Sequence, residues 1–198
     1  MIYTELELSA RDMMHLNVHD EYSIHQLVYS MFASDPPKQR DFLYLKKRET
    51  ADQMVIKILS QRNPLIPGSC RINSVVVPDA FFLQREYFFS VKVNPMRRSQ
   101  ETSKAYPIRG RANLLKWFYE KAEQAGMRVC TRNLEIRDHT IEKIVKKDIT
   151  YTFSSVVFAG QCRVENKKKF LYTVKNGFGR ARTFGFGLLE LRPIIREI

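Results

Sequence analysis

An α+β fold of two successive β-α-β-β-α-β units is what this 198-residue chain predicts, on three observations. Runs with the two-residue period of half-buried strands recur along its whole length. Apolar residues at helical spacing interrupt them at Ile24 to Met31, at Leu114 to Ala122 and after Asn166. The pattern that begins at Ile2 starts again at Tyr87, with a boundary near Phe82 to Arg85 that divides the chain into residues 1–83 and 84–198.

The first strand is expected over Ile2 to Leu8, where Ile2, Thr4, Leu6 and Leu8 alternate with Tyr3, Glu5 and Glu7. Ala10 to His19 reads as irregular and polar. Asp20 is placed to cap a helix whose apolar stripe is Ile24, Leu27, Val28 and Met31 and which ends near Asp35-Pro36-Pro37. Arg40 to Arg48 and Gln53 to Ser60 form a hairpin across the polar bridge Glu49 to Asp52. Pro64, Pro67 and Gly68 break the chain before the β-branched strand Ile72 to Val77, so the second helix of this unit is missing or vestigial.

In the second unit a strand over Tyr87 to Val93 precedes the break at Pro95. A helix then runs from Ala112 to Gln124, with Gly126 as its stop. Strands Arg128 to Arg137 and Thr150 to Ala159 flank a polar tip, and Asn166 caps a helix carrying Phe170, Leu171 and Val174. A strand over Thr183 to Leu191 closes the unit. Two split βαβ units in tandem make a ferredoxin-like, or RRM-like, architecture with a glycine-rich loop near its C-terminus.

Composition narrows the function. Lys and Arg number 33 against 21 Asp and Glu, a net charge of +12 that favours a polyanionic partner. Hydrophobic content of 44% excludes wholesale disorder. No apolar run approaches spanning length, and Glu5 and Glu7 stand where a signal peptide would be basic and apolar, so a cytoplasmic protein is expected without a membrane partner. Cys70, Cys130 and Cys162 lack metal or redox spacing and read as buried free thiols. His15 and His19 are four apart but have no third ligand, and no metal or other cofactor is expected.

The stretch Lys175 to Leu191, KNGFGRARTFGFGLLEL, holds four of the eight glycines of the chain, Gly177, Gly179, Gly185 and Gly187. Such spacing supplies backbone that turns with positive φ or approaches another group closely, and Lys175, Arg180 and Arg182 among the glycines suit a phosphate. The alternative is that Gly185 and Gly187 thin a strand packed on a helix. Neither a Walker A loop nor a dinucleotide fingerprint fits. Two more basic groups accompany this stretch. One comprises Lys143, Lys146 and Lys147, expected at the tip of the hairpin within Arg137 to Asp148. The other includes Arg97 and Arg98. Each is either an RNA-contacting surface or a solvated face. The sheet lacks the aromatic signature of standard RRM readout.

On the first helix Tyr22, His25 and Tyr29 form a polar-aromatic edge beside the apolar stripe. This is either a surface histidine among packing tyrosines or an acid-base group at a solvent boundary. The second reading suits RNA cleavage without metal. RNA brings its own nucleophile, the 2′-hydroxyl, and needs a base, an acid for the leaving 5′-oxygen and cations for the phosphorane.

Three motifs together, E-Y-S-I-H in the first helix, V-N-P-M-R-R after the strand near residue 90, and the C-terminal G-F-G-R-A-R-T-F-G-F-G-L-L-E-L, resemble the CasE family. These are precursor-crRNA endoribonucleases of the type I-E CRISPR system, within the RAMP superfamily. The resemblance runs from the first strand to the last. It implies cleavage of CRISPR repeat stem-loops at the 3′ base without metal, leaving a 2′,3′-cyclic phosphate or 3′-phosphate and a 5′-hydroxyl. It further implies retention of the mature crRNA within Cascade. By this resemblance His25 is the catalytic histidine, Tyr22 its neighbouring tyrosine, and the groove-entering basic hairpin lies within Arg137 to Asp148. Some members carry a basic residue five positions after the histidine, where this chain has Ser30. Charge stabilisation then falls to Lys175, Arg180 and Arg182, or to Lys38 and Arg40. A non-catalytic RNA-binding subunit is the alternative, and a small-molecule enzyme using the glycine loop for a nucleotide is a third reading.

Overall fold

A computed structural model describes the chain except for residues 34–39, 49, 51, 69, 100–103, 147–148 and 196–198. Strands β1 (Ile2–Ser9), β2 (Phe42–Arg48), β3 (Gln53–Ser60) and β4 (Arg71–Val76) form an antiparallel sheet in the order β2-β3-β1-β4. Strands β5 (Glu86–Val93), β8 (Met127–Val129), β10 (Ile149–Val164) and β11 (Leu189–Pro193) repeat that order in a second antiparallel sheet, β11-β5-β10-β8. In each sheet the first and third strands of the unit are central and the second and fourth are at the edges, as a split βαβ unit requires. Both units are ferredoxin-like.

Helix α1 (Ala10–His15) is followed by α2 (Glu21–Ser30), which lies on the first sheet, and α3 (Arg111–Gln124) and α4 (Lys167–Asn176) lie on the second. The starts of α2 and α4 are where capping chemistry places them. Asp20 accepts from the Ser23 N–H at 2.7 Å, and Asn166 accepts from the Lys169 N–H at 3.0 Å. Gly126, with φ +79°, follows the end of α3.

Four expectations are corrected. Ala10 to His19 is not wholly irregular, because Ser9 and Asp12 form a capping box that starts α1. No residue of α1 is buried, so hydrophobic spacing carried no trace of it. The strand expected over Arg128 to Arg137 is split by a 3₁₀ turn at Thr131–Asn133 into β8 and β9 (Glu135–Lys146). The final strand starts at Leu189 rather than Thr183, since positive φ at Gly185 and Gly187 is incompatible with an extended run. Cys130, expected to be buried, is exposed where β8 gives way to that 3₁₀ turn, whereas Cys70 and Cys162 are buried. In addition β6 (Met96–Arg98) and β7 (Ala105–Pro107) form a short ribbon.

The α2 face of the first sheet packs through Leu6, Leu8, Ile24, Val28, Ile56 and Ile58. A larger core joins α3 and α4 to the second sheet through Phe118, Phe158 and Phe170, and takes in Leu43, Leu45 and Leu59 from the opposite face of the first sheet. The two units therefore share buried surface. A third, small cluster decides where the site lies: Ile144 of β9, Phe153 of β10 and Phe186 of the glycine-rich loop are buried together, with Tyr22 and Phe184 against them. It fastens hairpin, loop and α2 to one another. Among the described residues no helix is long and apolar enough to cross a membrane.

Candidate active site

Helix α2 turns its apolar stripe to the first sheet and leaves His25 partly buried at the edge, with Tyr22 and Tyr29 one turn to either side. The His25 ring is 5.8 Å from the Tyr22 ring and nearly parallel to it, 4.2 Å from that of Tyr29 and 5.3 Å from that of Phe184. Its Nδ1 lies 2.8 Å from the Thr183 carbonyl oxygen. A carbonyl only accepts, so Nδ1 carries the proton and donates. In the neutral ring Nε2 then holds the free lone pair. The same oxygen accepts a second hydrogen bond from Tyr44 Oη at 3.1 Å. One backbone carbonyl of the glycine-rich loop thus sets both the tautomer and the tilt of the imidazole.

Burial lowers the His25 pKa from its usual 6.5, opposed by the hydrogen bond to Thr183 and assisted by the charges of Lys146 and Arg40. The imidazole is accordingly held toward its neutral, basic form. Tyr44 is buried, and its hydroxyl, whose pKa that burial raises strongly, stays protonated as the donor the latch needs.

The glycines explain how the carbonyl arrives there. Gly177, Gly179, Gly185 and Gly187 all have positive φ. Gly187 is the most constrained: its N–H donates to the Lys92 carbonyl at 2.7 Å, its carbonyl accepts from the Phe178 N–H at 2.8 Å, and a Cβ there would lie 2.5 Å from the Phe178 oxygen. Gly185 lets the loop lie on the Tyr44 ring, which a Cβ would meet at 3.2 Å. The loop is therefore architecture that delivers a carbonyl.

The basic residues separate into groups. Lys146 sits with its Nζ 5.7 Å from the centroid of the Tyr22 ring, at the site. Lys143 is exposed on β9 opposite Thr152, and Lys147 lies outside the described residues. Lys146 pairs with Ile149 in the last pair of the β9–β10 ribbon, at the end where the tip was expected, and Lys143 lies three residues back along β9. Arg97 and Arg98, exposed on β6, meet Gly177, Gly179 and Arg180 along a cleft of about 550 Å³ that Lys121 and the exposed Tyr172 also line. Lys175 is exposed on the last turn of α4 and does not line that cleft. Arg182 folds inward: its Nη1 donates to the Asn176 carbonyl, and its stem packs on Gly177 and Gly187.

Ser30 donates to the Leu27 carbonyl of its own helix at 2.7 Å. Of Lys175, Arg180, Arg182 and Arg40, it is Arg40 whose charge acts on His25, and Lys38 lies outside the described residues. Arg40, Phe42, Tyr44 and Lys46 follow the alternation of β2. Phe42 touches the Tyr29 ring at 5.0 Å, Tyr44 reaches Thr183, and Lys46 is bridged to Glu21 of α2. Nη1 of Arg40 is buried and has no hydrogen-bond partner among the described residues.

A family model described as CRISPR associated protein matches residues 1–193. The chain belongs to this family of CRISPR-associated proteins. Among curated relatives it is 23% identical over 188 residues to the CRISPR system Cascade subunit CasE of Escherichia coli strain K12, covering 88% of this chain and 93% of that one. It is 25% identical over 115 residues to the CRISPR-associated endoribonuclease Cse3 of Thermus thermophilus, covering 53% and 54% of the two chains. Among solved structures, CRISPR endoribonuclease Cse3 bound to a 19 nt RNA superposes with a TM-score of 0.82 at 20% identity, over 98% of this chain and 100% of the other. The CRISPR-associated protein Cas6e from Escherichia coli K-12 superposes at 0.66 and 18% identity, with coverage of 98% and 100%. These likenesses support the ferredoxin-like pair as the family fold.

Sequence reading missed the Thr183 carbonyl, Tyr44 and Phe184 as parts of the site. Tyr44 had a signal in the alternation of β2, but the backbone oxygen of Thr183 had none.

Proposed function

We propose that this family member is an endoribonuclease that cuts CRISPR repeat stem-loops in precursor crRNA without a metal ion. The observation that carries this reading is the imidazole of His25, held neutral and latched by Nδ1 to the Thr183 carbonyl, so that Nε2 is the nitrogen left to act on substrate. His25 Nε2 takes the proton of the 2′-hydroxyl, whose oxygen attacks the adjacent phosphorus while the bond to the 5′-oxygen breaks and that oxygen takes a proton from the Tyr22 hydroxyl or from water. Tyr22, nearly parallel to His25, positions the 2′-hydroxyl or shares the proton transfer. The products are a 2′,3′-cyclic phosphate, or the 3′-phosphate from its hydrolysis, and a 5′-hydroxyl.

Lys146 and Arg40 are the cations whose fields reach His25, and they stabilise charge on the phosphorane in place of a basic residue at position 30. The unpartnered Nη1 of Arg40 is a donor that a phosphate oxygen satisfies. Arg97, Arg98 and Arg180, converging on one cleft, hold the RNA backbone away from the reacting atoms. Within this reading residues 1–83 supply the acid-base helix and residues 84–198 the RNA-holding surfaces, including Lys143 and Lys146. The names of the relatives, a Cascade subunit and an endoribonuclease, support an enzyme that joins Cascade, and retention of the mature crRNA in the cytoplasm is part of the same proposal.

The test is a synthetic repeat hairpin incubated with the protein in EDTA, with product ends mapped, against the same RNA carrying a 2′-deoxy at the scissile nucleotide. Cleavage of the first and none of the second is expected. A wild-type protein that binds the all-ribose hairpin and leaves it whole is a binding subunit, and the catalytic reading fails.

A further inference from the structure

The second sheet has one face covered by α3 and α4 and one face that none of the described helices covers. On that open face Phe88 of β5 stands between Gln161 of β10 and Arg192 of β11. The three side chains form a row across the sheet, and strand spacing makes it roughly 10 Å wide. Phe88 is 37% exposed, unusual for a phenylalanine at the centre of a sheet, and the Arg192 guanidinium lies 4.7 Å from its ring centroid.

Beside this row lies a groove of about 470 Å³ to which Arg132, Asn133 and Arg137 also contribute. The rim exists because residue 160 is glycine: a Cβ there would stand 2.7 Å from the Asn133 carbonyl, so any other residue pushes the 3₁₀ segment carrying Arg132 and Asn133 off the sheet.

Charge on this face is settled one way. Glu190 is neutralised by Lys57 of the first unit at 2.6 Å, and Glu135 by Arg137 at 3.3 Å. Among the described residues neither Arg132 nor Arg192 has a carboxylate partner. An exposed aromatic ring, a guanidinium stacked on it, side-chain amides at its flank and two uncompensated arginines are what a single-stranded nucleic acid uses, with bases stacking and phosphates tracking the cations.

The strand that carries Phe88 also leads, through buried side chains, toward the candidate active site. Along β5 the open face reads Phe88, Ser90, Lys92, about 13 Å from end to end. Lys92 lies 4.8 Å from the Phe186 ring, and rings of Phe153 and Phe184 lead from there to His25 at steps of 5.5, 5.3 and 5.3 Å.

We propose that this open face, centred on Phe88 and Arg192, binds the single-stranded RNA that flanks the repeat hairpin. It is a second subsite apart from the cleavage centre and from the Arg97–Arg180 cleft. The assignment rests on the reading of the chain as a nuclease of repeat hairpins. It does not depend on which groups perform the chemistry.

The experiment compares affinities for a blunt hairpin and for the same hairpin with single-stranded extensions, both 2′-deoxy at the scissile nucleotide so that neither is cut. Wild type is expected to bind the extended RNA more tightly. Phe88→Ala should lose roughly 5- to 150-fold on the extended RNA, the contribution of one stacked base, and nothing on the blunt one. Phe88→Trp should keep the affinity, and Arg192→Ala should lower the salt slope for the extended RNA alone. Equal affinity of wild type for the two RNAs, or Phe88→Ala unchanged on the extended one, overturns the subsite and leaves the nuclease reading standing. That is also the outcome if a protein covers this face. Failure of wild type to bind either RNA overturns both.

Discussion

Replacing His25 by alanine separates chemistry from folding. A positioned general base contributes about 10²- to 10⁴-fold in rate, which at 1.36 kcal/mol per decade is roughly 2.7–5.5 kcal/mol of barrier. The structural loss is smaller. The 2.8 Å bond to Thr183 disappears, but the carbonyl keeps the Tyr44 hydroxyl at 3.1 Å and is not orphaned. One neutral hydrogen bond is worth about 0.5–1.5 kcal/mol net, so the variant should fold and bind. Single-turnover cleavage of a repeat hairpin in EDTA, run beside a binding titration and a thermal melt, should show a fall of two to four powers of ten with affinity kept. His25→Gln retains a donor toward Thr183 but no titrating base, and should be as slow. An alanine variant cutting within about threefold of wild type would refute the argument, since general-base removal costs at least about a hundredfold.

The remaining expectations concern pH, loop strain, the latch and the basic cleft. Because burial lowers the His25 pKa, the rising limb of the pH–rate profile should lie below 6.5, and removing the charge of Lys146 or Arg40 should move it upward. For stability the sign is that of a depressed group: the contribution is complete above the unfolded value of 6.5 and is lost as pH falls toward the folded pKa, which pH-dependent melts will follow. Gly187→Ala meets the Phe178 oxygen at 2.5 Å with φ +82° and should cost about 2–4 kcal/mol by denaturant titration. Gly179→Ala has open space around it and should cost only about 1–2 kcal/mol. Tyr44→Phe should lower the cleavage rate and melt somewhat earlier, by about 1 kcal/mol, because it removes one of the two donors to Thr183. Alanine at Arg97, Arg98 or Arg180 should weaken binding and lower the salt slope by about 1 each without slowing the cleavage of bound RNA.

Much of this architecture is written locally. Alternation in Ile2 to Leu8, the Asp20 and Asn166 caps and the stop at Gly126 each act within a few residues, so period and cap chemistry locate β1, α2, α4 and the end of α3. Where reading failed, the deciding interaction was distant or hidden. Helix α1 has no fully buried residue, and Met13, only partly buried against the core, left no periodic trace. The last strand looked longer at its start, because Phe184, Phe186 and Leu188 alternate like a strand while obeying the positive φ of the glycines between them. Lys146 read as a tip residue and does stand in the last pair of the ribbon, but no local spacing showed that this end lies against the Tyr22 ring.

By itself the sequence determined the two-unit ferredoxin-like plan, the basic character and the helix edge that carries Tyr22 and His25, since all three follow from residue type and short-range spacing. Only the tertiary structure decided that Thr183, 158 residues away, turns its carbonyl to Nδ1, and that Tyr44 shares it. A side chain announces its chemistry by its letter. A backbone oxygen is the same at every residue, and what distinguishes one is where a loop with four positive φ angles at its glycines delivers it.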